Sequence, residues 1–306
     1  MPNLTEIRNQ TSTEDFFCSS TLSEPKPRII TSAFNIPLSI TAFIGNVLII
    51  VVLPKVSSLH PPSKLLLGCL ASTDLCVGLV AQPLYVFLLL SSKYSKHYCY
   101  YLGIFYNLAS AIFCAVSLMT ITAISVDRLL ALTLGLQYRQ VVTLKRVWVL
   151  VVTLWFFNRK SAVMSILNLR IAYSIFATEV ILCIIASIFC YTKIYCVLRQ
   201  NRDQVQPHVH QGQQNQGQNA MRIARYRKTV STALWVQITL LTCYLPFAAV
   251  AAVISFYGPL PNLTWHLPLT LVMLNSTLNP FLYCWKIREM KQAVIDTITQ
   301  LCCFCN

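Results

Sequence analysis

The chain has 306 residues, of which 56% are hydrophobic and only 11% charged. That composition excludes a soluble domain with an ordinary charged surface and fits a protein that crosses a membrane several times. The formal charge of +14 would suit a nucleic-acid binder, but its placement argues for topology and contact with anionic lipid instead.

Residues 1–31 read as a polar outer tail. It carries the glycosylation sequons at Asn3 and Asn9, and Cys18. No cleavable signal is visible in it, so the first span is expected to act as the anchor. A spanning helix needs about 20 apolar residues, and seven runs qualify: 32–54, 65–90, 99–132, 147–165, 171–197, 229–256 and 266–285. With the N-terminus outside, 16 of the 24 Lys and Arg fall on the inner side, from Lys55 and Lys64 through the Arg222–Lys228 run to Lys286, Arg288 and Lys291. The third sequon, Asn262, then falls outside with Asn3 and Asn9. Cys18 and Cys99 are the two cysteines in outer segments, where the compartment is oxidising, and a Cys18–Cys99 disulfide is expected. The loop near 198–228 opens with a Gln-, Asn- and His-rich tract that cannot bury a core.

After the seventh span, residues 286–306 form an inner segment. Ile287, Met290, Val294, Ile298 and Leu301 recur at helical spacing among basic residues, which predicts an amphipathic helix on the membrane surface. Cys302, Cys303 and Cys305 follow beside the lipid, either as palmitoylation sites or as unmodified thiols. The fold class is thus an all-α membrane protein, a seven-transmembrane helix bundle over 32–285 with a C-terminal amphipathic helix.

Polar residues inside a bilayer are costly and point to function. Asp74 lies mid-way along the second span and Ser117 along the third. Asn275, Ser276 and Asn279 share the seventh, with Asn275 and Asn279 on one helical face. Convergence of one carboxylate with neutral oxygens would suit a hard cation, or equally a buried water network. Asp127-Arg128 ends the third span, either as a snorkelling arginine or as an acid–base pair that breaks when another group competes. Glu179 is the other mid-span acid, with a ligand-binding and a structural reading both open. Pro280 removes a backbone donor inside the seventh span and predicts a bend or a hydrated joint there.

Together these residues resemble the rhodopsin-like (class A) G-protein-coupled receptors. The resemblance rests on Gly45-Asn46, Asp74, Asp127-Arg128-Leu129, Trp155, Tyr191, Cys243-Tyr244-Leu245-Pro246 and Asn279-Pro280-Phe281-Leu282-Tyr283, in that order along the chain. It implies a receptor, not an enzyme, that converts an extracellular small-molecule or peptide ligand into activation of a heterotrimeric G protein. Arrestin and membrane lipids would be further partners, and the plasma membrane the location. It assigns Asp74, Ser117, Asn275, Ser276 and Asn279 to an allosteric sodium site, with no required cofactor. It assigns Asp127, Arg128, Tyr191, Tyr244, Pro246, Asn279, Pro280 and Tyr283 to the activation switch. By position the ligand pocket would take Ser110, Cys114, Glu179, Tyr244, Phe247 and Leu269. The short second outer loop and the lack of a helix-5 proline are similar to melanocortin-type receptors. The alternatives are a non-signalling membrane protein such as a secondary transporter, or an impaired receptor with a truncated helix 4 region, because Asn158-Arg159-Lys160 interrupts the fourth apolar run.

Overall fold

The computed structural model describes residues 25–91, 96–167, 169–205, 216–257 and 263–304. Among these, long helices form one bundle, with no strand. We number them in chain order: α1 Pro25–Val52, α2 Pro61–Leu90, α3 Lys96–Leu134, α4 Leu144–Leu167, α5 Leu169–Val205, α6 Gln216–Tyr257, α7 Leu263–Lys286 and α8 Arg288–Phe304. The face where α1 begins is called the outer face, and the face bearing α8 the inner one. Five helices, α1, α2, α3, α5 and α6, are each long and apolar enough to cross a bilayer. α4 and α7 pack within the same bundle.

α1 and α4 differ from the sequence expectation. α1 starts at Pro25, so residues 25–31, assigned to the tail, are helical. Proline is well tolerated in a first helical turn, where its missing N–H would have no partner anyway. α4 does not stop at Asn158-Arg159-Lys160 but continues as an unbroken helix to Leu167. Asn158 turns inward and is buried, whereas Arg159 turns outward with its guanidinium 5.7 Å from the Phe156 ring centre. At 24 residues and 1.5 Å per residue, α4 is about 36 Å long, enough for a hydrocarbon core of about 30 Å. The shortness of this region therefore falls on the connection and not on the helix, because one residue separates α4 from α5.

α2 contains a π-helical stretch at Val77–Ala81, one turn before Pro83. Pro83 has no N–H for the helical ladder, and a wide turn is one way to re-route the freed groups. The widened turn lies against α1. A Cβ on Gly78 would come within 2.9 Å of the Phe43 nitrogen, and the Ser39 hydroxyl donates to the Gly78 carbonyl at 2.6 Å. Glycine is needed there because two backbones touch.

α8 is held to the inner end of α1. Met290 is fully buried against Ile49, Val52, Leu53 and Val56, with Val294 packed beside it. The row expected to face lipid is thus divided: Ile287, Met290 and Val294 pack with the bundle, while Ile298 and Leu301 face outward. Glu289 in the first turn accepts bonds from the Ser57 and Ser58 backbone N–H groups, both at 3.0 Å. The Lys55 ammonium donates to Thr297 Oγ1 at 3.3 Å.

Candidate functional site

The functional residues form a column through the bundle, from a pocket near the outer face to a polar cluster near the inner one. The pocket has an empty volume of about 750 Å³, its mouth included, a size that suits a small molecule. Ser110 and Cys114 line it from α3, Glu179 from α5, Phe247 from α6 and Leu269 from α7. Asn158, Tyr106 and Tyr173, which sequence reasoning missed, line it as well. Tyr244, expected in the pocket, is not on its surface. It is 1% exposed and lies in the core, its hydroxyl donating to the Cys114 carbonyl at 3.4 Å. Its ring is too deeply packed to meet a ligand directly, and it touches the pocket through Cys114.

Most of the pocket wall is apolar or aromatic, and Phe176 meets Phe247 edge-on at 5.2 Å. Glu179 supplies a carboxyl to this wall. It is 7% exposed, and its Oε1 has no hydrogen-bond partner among the described residues. A buried acceptor without a donor is costly, so this carboxyl is poised for a group that can donate to it.

Below the pocket, Asp74 ties three helices together. Its Oδ1 accepts from the Ser117 hydroxyl of α3 and the Ser276 hydroxyl of α7, each at 2.8 Å. Its Oδ2 accepts from the Asn279 amide at 2.6 Å. All four side chains are buried. The structure therefore brings Asp74, Ser117, Ser276 and Asn279 together. Asn275 is buried nearby on α7 but makes no hydrogen bond to Asp74, and its Nδ2 has no partner among the described residues. Helical spacing places Asn275 and Asn279 on one face, but neighbouring turns of a packed helix meet different partners.

Pro280 follows at once, and α1 answers the gap it leaves. A backbone N–H at position 280 would have bonded to the Ser276 carbonyl one turn earlier. The Asn46 amide donates to that carbonyl instead, at 3.1 Å, and also to the Ala42 carbonyl at 2.8 Å. Gly45 makes the approach possible, because a Cβ there would lie 3.0 Å from the Pro280 ring. The adjacent pair Gly45-Asn46 is thus a fitted counterpart to the break in α7: one residue supplies space and the next a donor. α6 carries its own internal proline, Pro246, two residues beyond Tyr244.

Near the inner face, Asp127 is buried and both its oxygens are engaged. Oδ1 accepts from the Tyr138 hydroxyl at 2.6 Å and Oδ2 from the Ser63 hydroxyl at 2.9 Å. Arg128 lies at 3.7 Å from Oδ2 and is 30% exposed. The acid is therefore held chiefly by neutral hydroxyls from α2 and from the single turn Tyr138–Val141, which leaves the arginine loosely tethered at the surface. Tyr191 of α5 accepts a bond from the Ser125 hydroxyl of α3 at 3.2 Å. Tyr283 packs between the main core and the cluster beneath α8. Neither Ser63 nor Tyr138 carries a signal in the sequence, because their role comes only from the fold.

Cys99 is buried at the outer end of α3, with Ser91 Oγ at 3.7 Å from its sulfur. Cys18, Asn3, Asn9, Asn262 and Cys305 lie outside the described residues. Cys302 and Cys303 are exposed on the last turns of α8.

The chain matches the description "7 transmembrane receptor (rhodopsin family)" over residues 45–174 and 160–283. It is 25% identical to the adenosine receptor A3 of Ovis aries over 297 residues, 89% of this chain and 90% of that one. It is 24% identical to the adenosine receptor A3 of Canis lupus familiaris, over 85% of this chain and 88% of the receptor. It is also 25% identical to the trace amine-associated receptor 9 of Homo sapiens, over 90% of this chain and 86% of that one.

Proposed function

The chain belongs to the rhodopsin family of seven-transmembrane receptors, and on that premise we propose that a ligand in the outer pocket drives G-protein activation at the inner face. It is a membrane receptor and not an enzyme. The observation that carries the proposal is the Asp74 node, which joins α2, α3 and α7 directly between the pocket and the Pro280 break. A shift of α3 or α6 at Cys114 and Tyr244 is passed to groups that hold α7 in place. The equilibrium between two packings can then be biased from either end.

The ligand is proposed to be a small molecule that presents a hydrogen-bond donor or a cation to Glu179. The names of the relatives point to a nucleoside and to amines, and both classes carry such donors. Ser110 on α3 offers no charge to an amine, so Glu179 on α5 would take that role. The N-terminus is proposed to lie outside the plasma membrane. The G protein, and in turn an arrestin, would meet the inner ends of α3, α5 and α6 around Arg128 and Tyr191.

Sodium at Asp74 is proposed as an allosteric ligand. The donor set fits a hard cation: a carboxylate and two hydroxyl oxygens, with the partnerless Asn46 Oδ1 and Asn275 nearby. Asp74→Asn is expected to remove any sodium dependence of ligand affinity, and an unchanged salt response would reject the ion site.

The deciding experiment is ligand-dependent nucleotide exchange, read by a panel of G-protein biosensors in cells expressing the wild type or Arg128→Ala. The wild type is expected to respond to a ligand from a small-molecule library. The variant should reach the surface and bind the same ligand without exchange. Transport of the ligand across the membrane with no exchange would replace the receptor reading with a transporter.

A further inference from the structure

Asn158 lines the outer pocket from α4 and is 1% exposed. Its amide nitrogen donates to the Leu154 carbonyl at 2.8 Å and meets Met119 Sδ at 3.3 Å. Its Oδ1 has no hydrogen-bond partner among the described residues. The orientation of the amide is fixed, because turning it over would set an oxygen against the Leu154 carbonyl, acceptor against acceptor. The donors of this side chain are thus engaged by the protein, and its oxygen is what remains for an occupant of the pocket. Two other groups in the lining are in a similar state. The Ser110 hydroxyl donates to the Asn107 carbonyl at 3.2 Å, which leaves its lone pairs. Glu179 Oε1 has no partner among the described residues. The phenols of Tyr106 and Tyr173 can donate or accept. α3, α4 and α5 therefore each present an acceptor to one pocket.

A pocket walled in this way selects an occupant by its donors. An unsatisfied buried acceptor is costly, and a ligand that brings N–H or O–H groups removes that cost. Asn158 stands nine residues before the end of α4 at Leu167, and Glu179 ten residues past the start of α5 at Leu169. At 1.5 Å per residue these are depths of about 14 and about 15 Å below the outer helix ends. α4 and α5 are neighbours in the bundle. The two acceptors thus belong to adjacent helices, as two separate points of attachment for an occupant that fills the pocket. They differ in charge. A carboxylate pairs best with a cation, whereas a neutral amide oxygen takes a neutral donor and asks for no second buried charge. The α5 and α6 side of the wall is aromatic: Phe247 meets Phe176 edge-on at 5.2 Å and Tyr173 at 6.4 Å. Such rings favour a flat aromatic partner.

We infer that Asn158 is a ligand-recognition residue, and that the outer pocket takes an arylalkylamine whose ring carries a second, neutral donor. The ammonium goes to Glu179, and the ring N–H or O–H goes to Asn158 Oδ1. This rests on the reading of the outer pocket as the ligand site of a receptor. It adds the residue on α4 that separates rings with a donor from rings without one.

The test uses the purified full chain in phospholipid nanodiscs, without a G protein. It compares equilibrium binding of tryptamine with that of its benzothiophene analogue, in which sulfur replaces the indole N–H. The two share the ammonium and the shape of the ring and differ in the donor. The wild type is expected to bind tryptamine about five- to tenfold more tightly, the effect of one buried hydrogen bond. Asn158→Leu should bring tryptamine down to the level of the analogue and leave the analogue where it was. A side chain with a packing role alone would weaken both amines alike. Glu179→Gln should weaken both by the same factor. Thermal unfolding in the same discs identifies a variant that has not folded, in which case the wild-type ratio decides. Equal affinities in the wild type, or a ratio that survives Asn158→Leu, would overturn the role of Asn158. Absence of saturable tryptamine binding would overturn the arylalkylamine class, and nucleotide exchange driven by a ligand of another class would then leave the receptor reading standing. The expected ratio in a chain that no ligand drives to nucleotide exchange would reject the receptor reading and leave this site in place.

Discussion

Replacing Asn46 with leucine tests whether α1 compensates the proline in α7. The substitution keeps the size and removes the amide. Asn46 Oδ1 has no partner among the described residues, so its removal costs nothing in hydrogen bonding. The Ala42 carbonyl keeps its helical N–H donor. The loss therefore concentrates on the Ser276 carbonyl, which Pro280 has already deprived of its backbone donor. An unsatisfied buried carbonyl costs about 1–3 kcal/mol, and hydrogen bonds inside membrane proteins average about 0.6 kcal/mol, so we expect about 1–2 kcal/mol. For a domain of this size that corresponds to a melting shift on the order of 1.5–3 °C. Thermal unfolding in detergent can be followed with a dye that reacts with thiols as they become exposed, since Cys114 and Cys243 are buried. The decisive comparison is a double-mutant cycle with Pro280→Ala. Alanine restores an N–H at position 280, so Asn46→Leu should cost much less in that background. An equal loss in both backgrounds would refute the reasoning.

Tyr138→Phe removes the 2.6 Å bond to Asp127 Oδ1 and leaves Ser63 as its neutral donor. Asp127 then has an oxygen free to draw Arg128 closer, and ligand-stimulated nucleotide exchange should fall several-fold with ligand affinity kept; unchanged exchange would show that the tyrosine does not govern the arginine. The Glu289 attachment should be lost in acid. Hydrogen bonds, first from the Ser58 N–H and then from its hydroxyl and Ser57, hold the Glu289 carboxyl below its ordinary value. A carboxylate with a depressed folded value contributes fully above its unfolded value and loses that contribution as pH falls through the folded one. Protection of the Ser57 and Ser58 amides from hydrogen exchange should therefore drop only in acid, below the ordinary carboxylate range. Glu289→Gln should remove this pH dependence, and protection that persists with the same profile in the variant would assign it to another group.

The helical plan was legible because each span announces itself as an apolar run, and the polar cluster at Asp74 because polar residues in such runs are rare. What was lost depended on direction. Asn158-Arg159-Lys160 looked like an interruption, yet adjacent helical residues point 100° apart, so one can be buried while the next faces outward. Pro25, Lys26 and Arg28 looked like tail, because composition does not reveal that a polar turn can still be helical and that Arg28 is buried. Tyr244 had the right position for a pocket, but ring size and the depth of α6 put it beneath the surface. The same applies to Asn275 beside Asn279. Spacing puts two side chains on one face without saying which of them meets a neighbour. Ser63 and Tyr138 lay beyond sequence reasoning altogether, because Asp127 collects them from two separate segments.

The one-residue connection between α4 and α5 also constrains movement. Two peptide steps join Leu167 to Leu169, so the facing helix ends can separate by at most about 7 Å. The outer end of α5 has no slack in which to swing, and the connection acts as a pivot. Motions open to α5 are rotation and tilt about that point, with amplitude growing toward the inner face. Glu179 sits a third of the way down this lever and Tyr191 two-thirds of the way. A small turn at the first would then arrive enlarged at the second.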